Sequence, residues 1–174
     1  FPVAGGTSGH LLGGALAAVL VGPYTGALCI SVVLLVQALL MADGGITALG
    51  TNITLMGLVG VGAGWLVFLA VRSVLPKKVQ MIPPAAGIAA LLSVPAAALV
   101  FTGLFLVGGT APVQMSTVLT AMLGWHTVIG IGEAVITFLV VGTVVTTRPD
   151  LVYGARPLLA ARELEIRTDV EVSR

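Results

Sequence analysis

The 174 residues are 57% hydrophobic and 9% charged, with a mean hydropathy of +1.13. Soluble domains carry roughly 25% charged residues, so the composition excludes an ordinary water-soluble domain and points to a polytopic membrane protein. The net charge of +1 identifies no partner class and no nucleic-acid partner is expected, but the placement of charge is informative. All the Lys and Arg residues fall at 72, 77, 78, 148, 156, 162, 167 and 174, and of the acids only Asp43 and Glu133 precede the final tail.

Residues 1–9 read as a loop. They carry no basic region ahead of an apolar core, so they are not a signal peptide. An opening Phe1-Pro2 in place of Met is expected of a fragment, or of a mature or truncated form whose natural N-terminus is absent. The first apolar segment, about His10 to Val21, ends at Gly22-Pro23. At 1.5 Å per residue it is too short for roughly 30 Å of hydrocarbon, and it reads as a partial span or a helix completed by the loop before it. Pro23 to Ala42 spans comfortably, with Pro23 suited to a first helical turn. Asp43-Gly44-Gly45 breaks it, and Asp43 is most simply a cap or turn residue. The one cysteine, Cys29, lies in this apolar run and reads as an inert buried thiol.

The third segment runs from about Thr51 to Leu75 and is closed by Arg72, Pro76, Lys77 and Lys78. The fourth runs from about Pro84 to Val107, with a kink expected at Pro95. Residues 114–123 read as a short separate helix, and the last span as Trp125 to Thr147. Asp150 to Arg174 is of mixed charge and reads as a soluble tail, which divides the chain into a membrane domain, 1–147, and a tail, 148–174. The fold class expected is all-α, a bundle of about five spans. By the positive-inside rule, the basic loop at 72–78 and the tail are cytoplasmic. The loops at 1–9, 43–50 and 108–114 contain no Lys or Arg and belong outside. His10 is then presented at the outer boundary of the membrane.

Two features carry chemistry. His10 sits in Gly5-Gly6-Thr7-Ser8-Gly9-His10-Leu11-Leu12-Gly13-Gly14, ringed by glycines that allow close approach. Imidazole is the commonest protein ligand for transition metals, although a helix-end histidine bonded to a carbonyl or to water fits the same spacing. The intramembrane polar groups are Gln37, Asn52, His126 and Glu133, and such groups are costly in lipid. His126 and Glu133 share a helix face but stand about 10 Å apart along its axis. Each is either a satisfied interhelical hydrogen-bonder or part of a proton relay. Small residues at Gly14, Ala18 and Gly22, and at Gly60 and Gly64, form helix faces suited to close approach. They serve packing inside the bundle or docking of a separate membrane subunit. There is no Walker A loop, HExxH, Cys pair or Ser-His-Asp arrangement, and so no sign of an ATPase or hydrolase.

Three separated stretches carry a resemblance. They are residues 5–14 above, Val36-Gln37-Ala38-Leu39-Leu40-Met41-Ala42-Asp43-Gly44-Gly45-Ile46-Thr47-Ala48-Leu49-Gly50-Thr51-Asn52, and His126-Thr127-Val128-Ile129-Gly130-Ile131-Gly132-Glu133-Ala134. Together they resemble the CbiM/NikM family, substrate-binding membrane components of energy-coupling-factor cobalt and nickel importers, over residues 1 to about 147. The resemblance implies a multi-pass protein of a bacterial or archaeal cell membrane that is not itself an enzyme. Co²⁺ or Ni²⁺ would be its substrate, with no permanently bound cofactor. It would work with a membrane-coupling subunit and cytoplasmic ATPases, cobalt serving corrin-ring synthesis and nickel serving nickel enzymes. The family's metal ligands are a free N-terminal amine, a histidine at the second position and the histidine that matches His10. Phe1-Pro2 departs from that opening, so only His10 carries over, with Asn52, His126 and Glu133 as supporting candidates. One imidazole is too few donors for a selective site. The Gly14, Ala18, Gly22 face, with Gly60 and Gly64, is the expected surface for the coupling subunit. The rival class is a polytopic membrane enzyme or small-solute permease that uses His126 and Glu133 as a proton relay.

Overall fold

Residues 9–41 and 44–161 are described by a computed structural model of the protein. The elements are α1 (Gly14–Val21), α2 (Pro23–Leu40), α3 (Leu49–Asn52), a π-helical stretch (Ile53–Gly60) that leads into α4 (Val61–Val74), α5 (Ile82–Gly108) and α6 (Met115–Thr147). Among the described residues four helical stretches are long and apolar enough to cross a membrane: Pro23–Leu40, Ile46–Val74, Val79–Gly108 and Met115–Thr147. The polytopic all-α bundle is therefore present. The first apolar segment is not a full span, because α1 has 8 residues and rises only about 12 Å. It is tucked between the others instead.

Backbone chemistry sets these boundaries. Gly22, at φ 93°, lets the chain reverse between α1 and α2, and Pro23 then opens α2 where a missing N–H costs nothing. Pro95 lies inside α5 and cannot donate to the carbonyl of Leu91. Gly130 of α6 approaches that carbonyl so closely that a Cβ there would stand 2.8 Å from its oxygen. A proline on one helix is thus matched by a glycine on the next.

Glycine also governs how α1 is seated. A Cβ at Gly14 would lie 2.8 Å from the Gly60 backbone, and one at Gly64 would lie 2.7 Å from Ala15. The small-residue faces at Gly14, Ala18, Gly60 and Gly64 pack on each other within this chain, and Ala18 is wholly buried. Gly22 packs on the ring of Tyr153. These faces are therefore closed to a coupling subunit. In lipid, association rests on close van der Waals contact rather than on the hydrophobic effect, and a short helix without bulky side chains gains most of it by backbone approach.

Three other expectations change. Residues 114–123 are not a separate helix: α6 runs unbroken from Met115 to Thr147, because a lone glycine such as Gly124 lowers helix propensity without breaking a helix of this length. Cys29 is exposed, since α2 meets the bundle along the face of Gly26, Leu34 and Ala38 and Cys29 lies off that face. An apolar run in a membrane protein faces lipid as readily as core. The near part of the tail is not solvated either. Val152 and Ala155 are fully buried with Phe68, Ile82 and Val141, so the core extends past residue 147. Asp43 and the distal tail lie outside the described residues.

The end of the bundle that bears Arg72, Lys77, Lys78 and Arg148 is the more densely knit. Trp65 stacks on Phe68 at 5.4 Å and meets Tyr153 at 5.5 Å. Arg72 lies over the Phe68 ring at 5.7 Å and donates to the Gly154 carbonyl at 2.7 Å. Arg156 lies over Tyr153 at 5.1 Å. The segment after α6 is thereby clamped across the feet of α1 and α4.

Candidate functional site

The other half of the bundle contains a partly open cavity of about 90 Å³. His10 and Leu12 enter it from the irregular segment that leads into α1. Asn52 enters from the end of α3, and Leu55 and Met56 from the π-helical stretch. α5 contributes Ala97, Ala98 and Phe101, and α6 contributes Met122 and His126. A π-helical turn widens a helix locally and often marks a functional position. Here it faces the cavity opposite two alanines of α5, where small side chains leave room.

Four donor-bearing side chains of two kinds therefore share one space. His10 and His126 supply imidazoles, and Met56 and Met122 supply thioethers, with the Asn52 amide beside them. Nδ1 of His126, a residue 6% exposed, stands 2.8 Å from the Met122 carbonyl oxygen. A carbonyl only accepts, so Nδ1 carries the proton and donates. In the neutral ring this leaves Nε2 as the lone-pair nitrogen, the arrangement of a metal-ligating histidine whose other nitrogen is held by a backbone carbonyl. That hydrogen bond lies within α6, not between helices.

Glu133 plays a different part. Its carboxylate, 3% exposed, reaches from the middle of α6 to the start of α1. Leu12 N–H donates to Oε1, and Gly13 N–H donates to Oε1 and Oε2 at 3.2 Å each. The first N–H groups of a helix have no intrahelical acceptor, and Glu133 supplies one. His126 and Glu133 thus bond to separate backbone partners, and no hydrogen-bonded path joins them among the described residues.

Of the residues singled out in the sequence, the structure brings His10, Asn52 and His126 to one cavity. It gives Glu133 to the segment behind His10 and leaves Gln37 out of the lining. His10 is half-buried and lines the cavity. Met56 and Met122 carry no signal in the sequence, since methionine in an apolar run is indistinguishable from core. Among the described residues no group of three or more His, Cys, Asp or Glu side chains converges.

A polytopic helical membrane protein with an internal cavity lined by imidazole and thioether donors is the class that fold and site define. Residues 1–151 match the family model for CbiM, the cobalt uptake substrate-specific transmembrane region. The chain belongs to that family. It is 39% identical over 153 residues to a protein of Archaeoglobus fulgidus that bears the name of a fused nickel transport protein, NikMN, across 87% of this chain and 50% of that one. It is 45% identical over 67 residues to the cobalt transport protein CbiM of Geobacter sulfurreducens, across 38% of this chain and 19% of that one. The fold is similar to the crystal structure of a truncated transition metal transporter, at a TM-score of 0.72 and 33% identity, covering 81% of this chain and 70% of that one. The chain thus spans half the length of the Archaeoglobus relative and a larger share of the solved structure.

Proposed function

We propose that this chain is the cargo-binding membrane part of an importer for Co²⁺ or Ni²⁺, and that His10 is one of its metal ligands. The observation that carries the reading is the meeting of His10 and His126 in a single cavity of a chain from the cobalt-uptake family. Imidazole nitrogen suits both ions. Two imidazoles do not complete a selective site, and the terminal amine and second-position histidine of the family pattern are not among the residues of this sequence. The metal step is capture and release, with no bond made or broken in a substrate.

The one-sided distribution of Lys and Arg supports an orientation in which the Arg72–Lys78 loop and the segment after α6 are cytoplasmic. The cavity then opens in the half of the bundle nearer the outside. With no nucleotide-binding motif of its own, the chain takes energy from cytoplasmic ATPases through a membrane-coupling subunit. That subunit meets an outward-facing helix surface, such as that of α2, rather than the internal glycine face.

Calorimetric titration of the intact gene product with Ni²⁺ and Co²⁺ tests the ligand assignment. His10→Ala is expected to abolish tight binding while the helical content stays unchanged. Retained tight binding overturns it. Cysteines placed at positions 46 and 111, in a background with Cys29 replaced, are expected to label from outside intact cells. One at position 77 is expected to label only after permeabilisation, and labelling of 77 in intact cells reverses the orientation.

A further inference from the structure

We propose that Glu133 is the positioning residue of this metal site: its carboxylate anchors the backbone behind His10 and supplies the negative charge that a buried dication needs. The inference rests on the metal-binding reading above and deepens it.

The amides that Glu133 holds, those of Leu12 and Gly13, lie two and three positions after His10. Packing does not hold this turn at Gly13. That residue sits at φ 63°, in the left-handed region, and a Cβ there would meet nothing within 4 Å. Leu12 on one side packs with Met56 and Ile129, Gly14 on the other lies against Gly60, and the carboxylate ties the backbone amides between them to α6. The backbone behind His10 is therefore held in part by a hydrogen bond to α6, the same helix that carries His126 two turns before Glu133. One rigid element bears on both residues.

The charge follows from the donors. Every described partner of the Glu133 oxygens is an N–H, which suits the ionised, acceptor-only form. No Lys or Arg among the described residues pairs with it, the ion pair there being Arg148–Asp150 at the bundle's end. Two amide dipoles at a helix start offset part of the cost of a buried carboxylate, and an unpaired charge at membrane depth is otherwise expensive. Glu133 does not itself line the cavity, so a divalent cation there would act on this charge across the Leu12–Gly13 turn. The helix cap and the cation then share one anion, so occupancy of the cavity and seating of α1 are linked.

The test titrates the intact gene product, purified in lipid nanodiscs, with Ni²⁺ and Co²⁺ alone. Glu133→Gln keeps side-chain length but removes the charge and sets an NH₂ against an amide donor. Outer partners of metal ligands are worth about 10–100-fold in affinity, and a loss of that size is expected. The ligand-field absorption of bound Ni²⁺ should change as well, while the thermal midpoint of metal-free protein moves little. Glu133→Asp, with its charge retained, recovers part of the affinity. Wild-type affinity and spectrum in Glu133→Gln overturn the inference. So does a lower midpoint with an unchanged Ni²⁺ spectrum, which marks a helix cap and nothing more. If Glu133→Gln does not fold, Gly13→Ala takes its place: it disturbs the same turn without a clash, and an unaltered affinity and spectrum there overturn the inference equally. A wild-type protein that binds neither ion defeats the transport reading itself, whereas wild-type binding with indifferent variants defeats the role of Glu133 alone.

Discussion

The two ends of the bundle are built on opposite plans. At the basic end, Trp65, Phe68 and Tyr153 form a connected aromatic group, closed by Arg72 and Arg156 lying over its rings. In the cavity half, alanines, glycines and a π-helical stretch leave space, and one carboxylate holds the segment that bears His10. α1 joins the two, with its start on Glu133 and its foot against Tyr153. The contrast separates two tasks. A dense end fixes the relative positions of the helices, which lets the other end keep a cavity.

Substitutions can break this contrast in order of severity. Gly64→Leu should have the largest effect, since even a Cβ at that position would stand 2.7 Å from Ala15. α1 cannot then seat, and the expected outcome is loss of monodisperse protein on size exclusion in detergent. Gly62→Leu is the control, because a Cβ there meets nothing within 4 Å. Equal damage from both would mean that α1 is not held by close backbone approach.

Gly130→Ala comes next. Its methyl group meets the Leu91 carbonyl that Pro95 leaves without a helical donor, and overpacking of this kind costs about 1–3 kcal/mol. A lowered midpoint for thermal unfolding in detergent checks it. Recovery of that midpoint on adding Pro95→Ala, which restores the Leu91 hydrogen bond, would sharpen the account by showing that the two residues are a matched pair.

Arg72→Gln separates the ends functionally. It removes the hydrogen bond to Gly154 and the contact with Phe68, for an expected loss of about 1–2 kcal/mol. Thermal stability should fall while Ni²⁺ affinity stays close to wild type, the reverse of His10→Ala. If Arg72→Gln lowers affinity as much as stability, the ends are not independent and the foot of α1 controls the cavity directly.

The smallest effect is expected at the Arg148–Asp150 pair, which is exposed and bonded at 2.8 Å. The Arg148 guanidinium, by hydrogen bond and charge, holds the Asp150 carboxyl below the usual carboxylate range. A depressed folded-state pKa contributes stability above the ordinary carboxylate range and loses it as the pH falls through the folded value. Because the pair is exposed, Asp150→Asn should lower stability only slightly at neutral pH, and that difference from wild type should shrink further in acid. A clear drop in the thermal midpoint at neutral pH would move the rigid end's boundary out to this turn.

The sequence by itself determined the solvent, the class and the grouping of charge. Long apolar runs, broken at Gly22-Pro23 and closed after Leu75 and Thr147, define membrane helices because backbone groups in lipid must be satisfied within the helix. The stretches around His10 and His126 were legible because polar residues are rare at that depth and each stands out. What the tertiary structure alone decided is which surfaces face each other. Uniformly apolar helices have no amphipathic stripe, so nothing in their pattern says that Gly14 meets Gly60, that Cys29 faces outward or that Val152 belongs to the core. The seating of α1 is the clearest case: a short helix at mid-depth is fixed by a glycine contact on one neighbour and a carboxylate from another, both distant in the chain. Only their meeting in space turns His10, His126 and Glu133 from three isolated polar residues into a cavity and its anchor.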